Sequence, residues 1–194
     1  MQKSEKIATF ETELTYIENE DIRRFTSMAI GELPDYFFKI PASTSRKYHP
    51  EFAAGEGGLV RHTKGATRIA KELFRLEMFG LFSNIEKDII VASMILHDGI
   101  KAGTEGLHTV TNHPLLMADF LRTDKELGEI ISQSWINSIA GNIETHMGQW
   151  TADYKTGQII LEKPNTKMQN FCHLCDYLAS RKCIEMNLDA PLSS

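Results

Sequence analysis

Cysteine is scarce in this chain: three residues in 194. An odd, sparse set builds no disulfide framework, so a reducing cytoplasm is the expected compartment. Long apolar runs are missing too. No stretch approaches the roughly 18 residues of a membrane span, and Met1–Phe10 is charged, which argues against a secretory leader. Positive charge is in deficit, with 21 Lys+Arg against 26 Asp+Glu and a net charge of −5. An acidic chain is a poor partner for long nucleic acid, and strong duplex binding is not expected. Repeats and low-complexity tracts are absent. What remains is ordinary globular composition, 42% hydrophobic, enough for one core. Against that background histidine stands out, with seven residues.

The chain reads as helix broken by one long irregular stretch, Pro41 to Gly58, rich in glycine and proline. Helices are expected from Asn19 to about Ile30, over Leu33–Ile40, and from Arg61 to Phe79 with Gly80 as a stop. A helix from about Asn84 is apolar on most faces, so it should be central, and it ends at His97-Asp98-Gly99. Further helices are expected from Leu107 or Asn112 to Leu121, from Lys125 to Ile139 behind an Asp124 cap, and from Thr166 to about Met186. Gly141 should interrupt, with a further turn over Asn142–Met147. Residues 150–161 read as a small β-hairpin. The expectation is an all-α bundle of six or seven helices with one minor hairpin. It would be a single domain over 1–194, with its core at about 45–186 and N-terminal helices over 19–40 packing on it.

Histidines and aspartates recur in order: His62, His97-Asp98, His113, His146, then Asp176 between Leu174 and Leu178. An imidazole and a carboxylate together suit a divalent ion such as Mn, Fe or Zn. An Asp within an apolar helical stripe needs a partner, and a metal is a good one. Cys172-His-Leu-Cys175 has no matching second pair, so Cys172, Cys175 and Cys183 are expected as small core residues. Arg61, Lys64, Arg68, Lys71 and Arg75 form a basic helix face. Arg61 and Lys64 stand close to His62 in sequence and are candidates to contact a phosphate-bearing substrate. His49 in the glycine-rich loop and His108 after the His-Asp pair are further candidate contacts. His173 reads as structural, and Trp135 and Trp150 as packing.

This order of motifs resembles the HD-domain superfamily, metal-dependent phosphohydrolases built on a helical bundle. Gly57-Gly-Leu-Val-Arg-His62-Thr is similar to the family's first histidine motif. Ile95-Leu-His97-Asp98-Gly-Ile-Lys101 is similar to its His-Asp-x-x-Lys motif. Asn112-His113 and Glu144-Thr-His146 are similar to the extra histidines of the two-metal branch, and Cys175-Asp176-Tyr-Leu-Ala-Ser180 to the final aspartate motif. The resemblance spans roughly residues 45 to 183. It implies that His62, His97, Asp98 and Asp176 hold one divalent ion, and that Asp98 bridges to a second, held also by His113 and His146. The ions would be Mn, Fe, Mg, Co, Ni or Zn. They would polarise a phosphoryl oxygen and acidify a shared water, with Asp98 and Lys101 as catalytic residues and Lys101 neutralising phosphate charge. Met147 stands where two-metal members often have another histidine, which argues against a third ion.

The local motifs are similar to the HD region of bacterial 3′–5′ exoribonucleases, whose separate nucleic-acid-binding domain finds no room in this chain. The implied activity is hydrolysis of a small phosphorylated substrate, such as a nucleotide. A nuclease on short single strands is a variant of it. The same ligands also resemble the di-iron oxygenases of the superfamily, and a non-enzymatic metal-binding module is a third reading. An oligomer is compatible with any of them.

Overall fold

A computed structural model describes residues 1–43, 49–106, 108–190 and 192. Among them the chain is all-α, with helices α1 (Lys3–Ala8), α2 (Glu11–Leu14), α3 (Glu20–Glu32), α4 (Gly58–Leu73), α5 (Asn84–Leu96), α6 (His113–Thr123), α7 (Lys125–Gly128), α8 (Gln133–Glu144) and α9 (Lys167–Ala179). Helix α5 is the axis. Every residue from Asp88 to Leu96 is buried, and the helix touches α3, α4, α8 and α9. A segment apolar on all faces is stable only when neighbours cover all of them. No helix among the described residues is long and apolar enough to cross a membrane.

Caps set the boundaries. Asn19 accepts from the Ile22 amide at the start of α3. Ser83 and Glu86 form a reciprocal capping box on α5, so the cap lies one residue before Asn84. Thr166 and Gln169 do the same for α9, and Gln169 also donates to the Gly141 carbonyl, which ties α9 to α8. Arg122 on α6 grips Glu144 at the end of α8 through both guanidinium nitrogens, Nη2 to Oε2 at 2.9 Å. That fork fixes the two helices that deliver His113 and His146.

Several expectations are corrected. The hairpin over 150–161 reduces to one antiparallel bridge, Ala152 with Ile159. The Asp153 carboxylate accepts from the amides of Lys155 and Thr156 and closes a turn instead, and with Tyr154 and Ile159 exposed nothing covers a ladder. Leu33–Ile40 holds only a 3₁₀ turn, Asp35–Phe38, behind Pro34. Helix α4 stops at Leu73, and α9 at Ala179 rather than Met186. The expected helix from Lys125 to Ile139 is two, because α7 ends at Gly128 and α8 starts afresh at Ser132. Gly141 lies inside α8 rather than interrupting it. The N-terminal helices α1 and α2 escaped the sequence reading; they are amphipathic only through isolated residues such as Phe10 and Leu14, both buried.

The irregular stretch before α4 is tightly held where it is described. Gly57 donates to the Lys39 carbonyl and Leu59 to that of Ile40. A Cβ on Gly58 would stand 2.2 Å from the Ala53 carbonyl oxygen, so only glycine lets the loop meet the helix start here. This contact sets where α4 begins, and therefore where His62 points.

Candidate metal centre

Each candidate ligand arrives near one end of a helix that packs into the core. His62 is in the first turns of α4. His97 caps α5 and Asp98 follows. Gly99 then packs closely, since a Cβ there would lie 2.6 Å from Leu33 Cδ2 and 2.7 Å from Met117 Sδ. His113 opens α6 ahead of Pro114, His146 follows α8, and Asp176 projects from α9.

The side chains converge. The ligand atoms of His62, His97 and Asp98 lie within 4.8 Å of one another, and so do those of Asp98, His113 and His146. Asp98 is common to both groups. Asp176 joins the first, its Oδ1 2.9 Å from His62 Nε2 and 3.5 Å from His97 Nε2. All six residues expected from the sequence are thus brought together.

Main-chain carbonyls orient the imidazoles. His97 Nδ1 donates to Met94 O at 2.8 Å, His113 Nδ1 to Val110 O at 2.7 Å and His146 Nδ1 to Ile143 O at 2.7 Å. A neutral ring so bonded carries its lone pair on Nε2, pointing inward. The result is a crowd of acceptors. His113 Nε2 is 3.3 Å from His146 Nε2, and the two lie 3.0 and 3.7 Å from Asp98 Oδ1. Among the described residues, Asp98 Oδ1, His97 Nε2 and His62 Nδ1 are buried without a hydrogen-bond partner. Such groups carry a desolvation cost that a cation at the centre relieves. The donor set of imidazole nitrogen and carboxylate oxygen therefore fits a divalent transition ion.

Electrostatics point the same way. Burial opposes charge on Asp98, but Lys101 and His97 hold its carboxyl well below the usual range. Asp176 is lowered likewise, burial being outweighed by His62 and His97. Burial also works against a charged His97, yet Asp98 and Asp176 raise it to about 10, so without a cation its Nε2 holds a proton in the place a metal would take. The carboxylates thus draw positive charge inward. His146 is pushed down to about 3, by burial first and then by His97, which keeps its imidazole neutral and able to ligate.

Of the candidate substrate contacts, the structure brings His49 to the centre. Its ring lies edge-on to His62 at 5.0 Å, and burial lowers it to about 3. Lys101 Nζ donates to Asp98 Oδ2. His108 is exposed on the loop between Lys101 and α6.

Arg61 and Lys64 are corrected. Arg61 donates to the carbonyls of Phe52, Ala54 and Glu56, so it clamps the loop. Lys64 lies two residues from His62, about 200° around the helix at 100° per residue. It faces Glu13 at 3.4 Å and the Phe10 ring. Cys172 and Cys175 are buried in the core as expected, but Cys183 is exposed beyond the end of α9.

Two features escaped the sequence reading. The orienting groups are main-chain carbonyls, which no side chain announces. Tyr36 donates to Gly103 O at 2.8 Å and braces the loop after Lys101; in the sequence it is one of three consecutive aromatics, with nothing to single it out. In comparisons with known proteins, no family model, no curated protein and no solved structure matches the chain.

Proposed function

We propose that the protein is a metal-dependent phosphohydrolase acting on a nucleotide or a similar small phosphoester. One observation carries the reading: buried imidazoles delivered by four helices converge on Asp98, which belongs to both potential ion-binding groups. His62, His97, Asp98 and Asp176 would hold one divalent ion, and Asp98, His113 and His146 a second. Such ions supply Lewis-acid polarisation of a phosphoryl oxygen and a more acidic water.

The protein's own groups do the rest. The carbonyls of Met94, Val110 and Ile143 hold three imidazoles in register, so little reorganisation is left for the reacting state. The buried walls exclude bulk water and strengthen every charge inside. Lys101, on Asp98, is the cationic side chain beside the centre. Its ammonium is placed to turn from the carboxylate to a phosphate oxygen and donate there. His49, kept neutral, closes the His62 side. The chain's resemblance to HD-domain phosphohydrolases supports the same chemistry.

The test is phosphate release from a panel of nucleotides and dinucleotides with Mn, Mg or Co, run beside oxygen uptake with Fe. The reading expects metal-dependent phosphate release. Oxygen consumption with Fe and no phosphate release would replace it with an oxygenase.

A further inference from the structure

The six candidate ligands differ sharply in exposure. The side chains of His62, His97, Asp98, His113 and His146 are 0–2% exposed, and that of Asp176 is 18%. Among the ligands, then, the centre meets solvent at Asp176 on α9. What lies beside Asp176 should meet the part of a substrate that stays outside.

Beside it is an aromatic stack. His173, Tyr177 and Arg181 follow one another at intervals of four and form a stripe along α9 and its end. Trp150 lies on that stripe, nearly parallel to Tyr177 at 12° with centroids 5.9 Å apart, and 5.9 Å from the His173 ring. This is an offset stack. The Arg181 guanidinium sits over the Tyr177 ring at 4.2 Å and is held by Ser180 Oγ at 2.8 Å. Trp150 is nonetheless 46% exposed.

The stack is built in relation to the centre. His173 Nδ1 donates to the carbonyl of the ligand His146 at 2.8 Å. Gly148, at φ +64°, runs so close to His173 that a Cβ would lie 2.1 Å from the ring. The short link from His146 to Trp150 is therefore pressed against α9. An indole braced by Tyr177 and His173 yet nearly half exposed, with an arginine on the same tyrosine, is the arrangement that takes up a flat base beside negative charge. The adjoining Arg181 and Lys182 add the positive charge an anionic ligand needs.

We propose that Trp150, on Tyr177 and Arg181, is the nucleobase platform of the site, so that the substrate class is nucleotides rather than base-free phosphoesters. This rests on the phosphohydrolase reading for the location of the phosphate, but base binding is measurable without turnover. Trp135→Phe leaves Trp150 as the only indole, since the chain has two. Adenosine 5′-monophosphate and ribose 5-phosphate are titrated against this protein, both metal-loaded and metal-stripped, following tryptophan fluorescence. The expected result is saturable quenching by the nucleotide and none by the sugar phosphate. By equilibrium dialysis, Trp150→Ala should weaken nucleotide binding roughly ten-fold or more, and Trp150→Phe should retain most of it.

Absence of quenching in the Trp135→Phe protein overturns the platform, whether or not Trp150→Ala folds. So does equal quenching by the base-free sugar phosphate, or unchanged nucleotide affinity in Trp150→Ala. Quenching without phosphate release from any phosphoester would overturn the hydrolase reading and leave the platform standing. Nucleotide hydrolysis with unaltered binding in Trp150→Ala would do the reverse.

Discussion

Lys101 and the histidines around it carry opposite burdens. Lys101 is a donor whose partner among the described residues is the shared carboxylate. Lys101→Ala should leave metal content intact, because the lysine is no ligand, and lower turnover about 100-fold, the scale of removing one charge-stabilising donor. Equal turnover in both proteins would remove it from the mechanism. The histidines set a pH profile for the metal-stripped protein. Burial lowers His49 and His146 from 6.5 to about 3. The unfolded chain then takes up protons that the fold refuses, so their contribution is full above pH 6.5 and is lost as pH falls toward 3. His97 is raised from 6.5 to about 10, so its contribution is full below pH 6.5 and is lost as pH rises through 10. Melting temperature in chelator should therefore peak near pH 6.5 and fall on both sides. A flat profile would contradict these environments.

At the scale of elements, periodicity and caps located the long buried helices. Helix α5 shows why: nine consecutive buried residues leave little choice of position. Short pieces were less legible. The gap between α7 and α8, the bridge at Ala152 and the helices α1 and α2 depend on which neighbours cover them, and local sequence does not record that. Arg61 is the clearest case. Its place beside His62 suggested a phosphate contact, whereas its five donors suit the carbonyls of a loop that glycine brings close. Arg61→Ala should destabilise the protein by about 1–3 kcal/mol through the carbonyls left without a donor, read as a lower melting temperature. An unchanged melting temperature with lost activity would return Arg61 to the substrate.

At the scale of the molecule, the ligand set was legible because chemistry fixes residue type and helical packing fixes order. Six residues spread from His62 to Asp176 meet at one centre although no two are neighbours in sequence except His97 and Asp98. The carbonyls that aim the imidazoles, the exposure that opens the centre at Asp176 and the stack beside it arise only once the helices pack. The fold thus gathers acceptors that have no common donor, and Asp98 stands between the two groups. That is the central claim, and metal analysis of the purified protein beside its Asp98→Ala variant tests it most directly. The account predicts bound divalent transition metal, up to two ions per chain, in the parent and loss of both in a folded Asp98→Ala. A metal-free parent after growth and dialysis with Mn, Fe or Zn, or full metal content in Asp98→Ala, would contradict it.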